Sequence, residues 1–160
     1  MAHAAAEVVL WLFVVNLGIA FGAGLYEARV LVPQWLRFEP GSGYRWDADA
    51  ARRANTGIRF WAYVTTGPLT FLTLASLGVA WWTVGTVRHW WLAAAAIAAV
   101  ERVMTFGYFV PTMLALTRSE LPHDRAVATA LSWVNRGYAR QWAILAAWLA
   151  ALKALSLVNS

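Results

Sequence analysis

Four long apolar stretches divide the chain, separated by two polar connections and one very short turn. A hydrocarbon core about 30 Å thick takes about 20 apolar residues of helix, so each stretch is long enough to cross it. The pattern predicts helical spans over about residues 7–32, 58–84, 90–116 and 126–157, all within one domain. From Val8 to Tyr26 no residue is charged, and Gly18, Gly22 and Gly24 allow close approach of a neighbouring helix. No Lys or Arg precedes this stretch, and Glu27 and Arg29 follow it directly, so it reads as a retained span rather than a cleaved signal. Pro33 is expected to close it. Pro40, Gly41, Ser42 and Gly43 then predict a turn, and Asp47 or Asp49 a helix cap ahead of Arg52, Arg53 and Asn55. Pro68, inside the second span, predicts a kink. Trp81, Trp82, Trp90 and Trp91 bracket the turn around Gly85 and Arg88, as expected of aromatic side chains at a bilayer surface.

Composition supports this reading. Of 160 residues, 61% are hydrophobic and only 13% charged, against about a quarter charged in soluble proteins. The fold class expected is an all-α integral membrane four-helix bundle. A net charge of +5 would suggest nucleic acid in a soluble protein, but here the arginines sit in short loops and read as orientation signals. The longer connections hold Arg37, Arg45, Arg52, Arg53, Arg118 and Arg125, beside Glu120 and Asp124, whereas Arg88 and Lys153 serve the other face. That predicts a multi-pass protein of the cell membrane with the longer connections cytoplasmic and both termini outside. The partners expected are membrane lipids and a lipophilic small molecule, with no nucleic acid; the glycines of the first span and the Trp-rich faces suit a homo-oligomer.

The two halves also echo each other. Val32-Pro33 followed by Asn55-Thr56-Gly57, Arg59 and Trp61 is matched by Val110-Pro111 followed by Asn135-Arg136-Gly137, Arg140 and Trp142. This suggests two repeated helical hairpins of the same orientation.

Ionisable residues inside a span are costly and normally face the bundle interior. Glu101 and Arg102 fall mid-way along the third span, and Glu27, Arg59 and Arg140 in the half nearest the longer connections. Helical spacing aligns Asn16, Ala20, Gly24 and Glu27 on one face, Glu101, Thr105, Tyr108 and Thr112 on another, and Asn55, Arg59, Thr66 and Thr70 on a third. With Pro33 and Pro111 at one depth, Glu27 and Thr105 lie about 9 Å further in. The stripes predict a polar pocket opening toward the longer connections, with Glu27, Arg59, Glu101, Tyr108, Asn135 and Arg140 as candidate catalytic residues. Simpler roles compete: Glu101 with Arg102 as a register-fixing salt bridge, Asn55 and Asn135 as caps at span entrances, and Arg136 and Arg140 as snorkelling cations.

Without cysteine there is no disulfide, thiolate metal site or thiol nucleophile. His3, His89 and His123 fall at the tail or in expected loops, so no predicted span carries a histidine and no metal site is predicted.

Gly22-Ala23-Gly24-Leu25-Tyr26-Glu27 leading to Val32-Pro33, then Arg52-Arg53-Ala54-Asn55, Tyr108-Phe109-Val110-Pro111 and Trp133-Val134-Asn135-Arg136, resembles the anthrone oxygenase-like family of small four-helix membrane proteins. Arg53-Ala54-Asn55-Thr56-Gly57 also looks like the segment that supplies a haem-ligating histidine in styrene oxide isomerase, with Asn55 at the ligand position. An amide is a poor haem ligand, so the residues argue against haem and leave the cofactor open, including none at all. The resemblance implies an enzyme acting on a lipophilic aromatic or polycyclic molecule, by cofactor-free oxygenation or epoxide isomerisation. The competing expectation is a non-enzymatic hydrophobic-ligand binder or assembly subunit.

Overall fold

The computed structural model describes residues 2–118 and 121–158; Glu120 and the side chain of His3 lie outside the described residues. Four helices long and apolar enough to cross a membrane run over Ala4–Trp35, Gly57–Trp82, Gly85–Thr117 and His123–Val158. The first is built of α1 (Ala2–Tyr26), a π-helical segment π1 (Glu27–Leu31) and α2 (Val32–Trp35); the second of π2 (Gly57–Thr66) and α4 (Gly67–Trp82). The third runs through α5 (Gly85–Met104), π3 (Thr105–Phe109) and α6 (Val110–Thr117), and the fourth is α7 (His123–Val158). The first helix packs on the second and fourth, and the third on the same two, so the bundle is a ring in chain order.

Each of the three prolines in these helices follows a π-helical segment. Pro33, Pro68 and Pro111 stand at the first positions of α2, α4 and α6. A proline lacks an N–H and clashes with the carbonyl four residues earlier, and the wider i to i+5 turn ahead of it relieves both problems. Pro33 therefore does not close the first helix, which continues to Trp35. At Pro68 the carbonyl left without its helical donor is that of Val64, and Asn16 Nδ2 donates to it at 2.9 Å. A side chain of the first helix thus satisfies backbone freed in the second, as apolar surroundings require.

The first long connection is more ordered than a turn. Strands β1 (Leu36–Glu39) and β2 (Gly43–Trp46) pair antiparallel, Leu36 facing Trp46 and Phe38 facing Tyr44, ahead of α3 (Ala48–Ala54). The fold is mostly helical, as expected, and this short hairpin is added to it, with Leu36 and Trp46 in the core and Arg37 and Arg45 exposed. Gly41 and Gly43 both adopt positive φ, which the tight reversal requires. Asp47, not Asp49, caps α3 by accepting from the Ala50 N–H at 2.8 Å, and that bond holds its carboxyl below the ordinary value. Trp46 Nε1 donates to the Leu116 carbonyl at 3.0 Å and its ring meets Trp35 edge-on, seating the hairpin beneath the bundle.

At the opposite end the turn is Thr83 and Val84 alone, and Gly85, at φ +73°, opens α5. Arg88 and His89 are therefore helical rather than loop residues, and His123 opens α7. Trp81 and Trp82 are exposed, with the Arg88 guanidinium 5.3 Å from the Trp81 ring. Trp91, expected at the surface, is buried against the small residues of the core.

The first and third helices share one feature: their π segments are equally long and start six residues before the proline. It does not extend to the second and fourth, where a ten-residue π segment faces a continuous α-helix.

Candidate functional site

A cavity of about 310 Å³ lies in the half of the bundle nearest the longer connections. Its walls are the three π segments, the parts of α5 and α6 that flank π3, and the middle of α7. The second helix lines it with Gly57, Trp61 and Thr65 and with Ile58, Ala62 and Thr66; the third with Glu101, Thr105, Phe109 and Met113 and with Arg102, Phe106, Val110 and Leu114. Both patterns repeat every fourth residue. A regular α-helix would drift by about 40° over each such step, and the wider π turns bring more residues into each turn and keep one face on the cavity.

Two carboxylates and two guanidiniums share this apolar chamber, and the structure treats the carboxylates differently. Glu101 has both oxygens engaged within its own helix: Thr105 Oγ1 donates to Oε1 and Arg102 Nε to Oε2, each at 2.7 Å. Glu27 is held on one side only. Its Oε1 accepts from Trp61 Nε1 at 2.9 Å and from Thr56 Oγ1 at 3.3 Å. Its Oε2 accepts no hydrogen bond among the described residues, and the Arg140 guanidinium nitrogen stands off at 4.0 Å.

Arg140 is fixed mainly by stacking, 4.3 Å from the Phe109 ring centroid and 5.8 Å from that of Trp61. It makes no hydrogen bond with the described residues, and its buried Nε has no partner. Arg102 Nη1 and Gln141 Oε1 are likewise buried and unpaired. Gln141 sits where the first and fourth helices meet: a Cβ on Gly24 would come within 1.5 Å of its amide nitrogen, so Gln141 holds this position only while residue 24 is glycine and would have to turn away from a larger residue.

Of the residues the sequence singles out, Glu27, Glu101 and Arg140 meet in the cavity. Tyr108 does not line it; its hydroxyl lies 3.2 Å from Ser132 Oγ and its ring under the Arg136 guanidinium. The reason is the π3 turn, which gives the cavity face to Phe109 where regular helical spacing from Glu101 selects Tyr108. Arg59 is displaced in the same way by π2, which turns Trp61 inward and leaves Arg59 exposed. Asn135 is exposed on α7, outside the lining. Asn55 is the C-cap of α3 at φ +45°, a left-handed conformation that asparagine tolerates, and it too lies outside the lining. The fit to a haem ligand is correspondingly poor: the position matched to a histidine holds a capping amide, and neither His89 nor His123 lines the cavity.

Trp61, Thr56, Arg102 and Gln141 complete the site without having been selected as catalytic candidates. The signal available for Trp61 was its place in the segment echoed between the halves, and for Thr56 only its place between Asn55 and Gly57 in that segment. For Gln141 it was only an uncharged polar residue inside an apolar run.

Compared with known proteins, the chain matches no family model, no curated protein and no solved structure.

Proposed function

We propose that this protein is a membrane-embedded enzyme that removes a weakly acidic C–H proton from a lipophilic aromatic molecule. The observation that carries this reading is the one-sided holding of Glu27. Two donors fix its orientation through Oε1, while Oε2 keeps its acceptor capacity in an apolar chamber. That is the arrangement a positioned general base needs. Arg140, beside it and without a hydrogen bond, offers donors to the oxygen on which negative charge develops. Trp61, Phe109 and Trp133 supply flat surfaces suited to an aromatic substrate.

In the oxygenase form of the reaction, Glu27 takes the proton and the electron pair remains on carbon, delocalised onto the oxygen beside Arg140. The carbanion then passes its electrons to dioxygen with formation of a C–O bond, Glu27 returns its proton to the resulting peroxide, and loss of water from the hydroperoxide, with the second hydrogen of that carbon, leaves a ketone. Epoxide isomerisation is less well supported, because it needs an acid at the epoxide oxygen and Tyr108 is turned toward Ser132. The distribution of arginines favours cytoplasmic longer connections and external termini, and with that orientation the cavity would lie in the cytoplasmic half of the bilayer.

Dioxygen uptake with anthrone, measured on protein in lipid vesicles, tests the proposal. Uptake above protein-free vesicles that falls to background in Glu27→Gln supports it. Tight binding of anthrone without uptake would instead indicate a binding module.

A further inference from the structure

The way into the cavity follows from how its walls meet. The second and third helices pack together along α4 and α5, whereas π2 meets α1 and makes at most sparse contact with π3 and α6. These two helices therefore part over the half of the bundle that holds the cavity. The edges of the gap are apolar and outward-facing: Ile58 is 63% exposed on one side, and Phe106 and Leu114 are 49% and 51% exposed on the other, and all three also line the cavity.

Three other directions are filled by side chains. At the back, the Gln141 side chain lies against Gly24. Beneath the arginine-rich connections, Phe109 and Trp133 belong both to the cavity wall and to the cluster containing Trp35 and Trp46. Toward the short turn, Ala20 and Ile144 merge into the main core. An apolar-edged opening facing water would cost about 25 cal/mol for every Å² of its surface, whereas against hydrocarbon it carries no such penalty.

We infer that the cavity is entered sideways, from the hydrocarbon between the second and third helices, and that its ligand is a lipophile dissolved in the bilayer rather than a water-borne solute. This rests on the membrane reading above but not on the proton-transfer chemistry. Arg59, next to Ile58 and exposed, marks the connection end of the gap, where long cationic side chains reach toward headgroups.

The absence of cysteine makes the route directly measurable. A Gln141→Cys variant places a single thiol on the back wall, opposite the gap. In vesicles of phosphatidylcholine and phosphatidylglycerol it is exposed either to pyrene maleimide dissolved in the bilayer or to a sulfonated maleimide in the water on both sides. The inference predicts labelling by the lipophilic reagent and not by the charged one. Adding Ala62→Trp at the edge of the gap should slow lipophilic labelling several-fold, while Val100→Trp, on the exposed face of α5 away from the cavity, leaves it unchanged. Equal labelling by the charged reagent, or indifference to Ala62→Trp, overturns the inference. Ile144→Cys, also in the cavity lining, is a second reporter if Gln141→Cys does not fold. Labelling requires no turnover, so its outcome is separate from that of Glu27→Gln.

Discussion

Trp61 donates its indole N–H to Glu27 Oε1 at 2.9 Å, so a residue of the second helix sets the orientation of a carboxylate on the first. The same indole lies beneath the Arg140 guanidinium. Replacing Trp61 by Phe keeps an aromatic face there but removes the donor. Turnover is expected to fall by up to about 100-fold, the scale of a misplaced reacting group, with ligand affinity little changed. Steady-state kinetics alongside a direct binding titration separates the two effects.

Glu101 and Arg102 should behave as a structural unit. Removing Glu101 alone leaves the Arg102 guanidinium buried without its carboxylate, a change that costs about 3–5 kcal/mol in buried pairs. Glu101→Ala should therefore unfold at markedly lower temperature or denaturant. Glu101→Ala with Arg102→Leu should recover a large part of the loss, as read from a double-mutant cycle.

The bond from Asn16 to the Val64 carbonyl replaces a donor that Pro68 cannot supply. Asn16→Leu is expected to cost about 0.6–2 kcal/mol, the range for side-chain hydrogen bonds between membrane helices. In a Pro68→Ala background the backbone regains an N–H opposite Val64, so the same substitution should cost less. Equal costs in the two backgrounds would show that Asn16 serves some other purpose.

Asp47 holds the first turn of α3 through the Ala50 N–H. Asp47→Ala should destabilise this connection by about 1 kcal/mol, and Asp47→Asn much less, because both amide and carboxylate oxygens cap well. The folded carboxyl titrates below the unfolded one, so its contribution is complete above the ordinary carboxyl range. It is lost as pH falls through the lowered value. Amide exchange across Ala48–Ala54 as a function of pH measures this, with loss of protection on the acid side only.

The four apolar helices were legible in the sequence because their length and freedom from charge leave little alternative, and their bounds moved by only a few residues. Glu27, Glu101 and Arg140 were legible for a related reason, since a charge inside an apolar run must find a polar interior. The facing of Arg59 and Tyr108 was not. Regular helical spacing places them on the polar stripes, and three π segments change the spacing to four where the cavity forms. Pro33, Pro68 and Pro111 were the visible trace of those segments, but a proline in an apolar run reads equally as an end or a kink. The hairpin at Leu36–Trp46 was hidden in a stretch whose Pro, Gly and Ser content announces only a turn.

The central claim, that Glu27 is a working base, is tested most directly by proton exchange in the absence of oxygen. Protein in vesicles made with deuterated water is given anthrone anaerobically, and deuterium incorporation at its acidic carbon is followed by NMR. The account predicts protein-dependent exchange that is lost in Glu27→Gln and retained in folded Glu101→Gln. Exchange that persists undiminished in Glu27→Gln, or that depends on Glu101 instead, would contradict it.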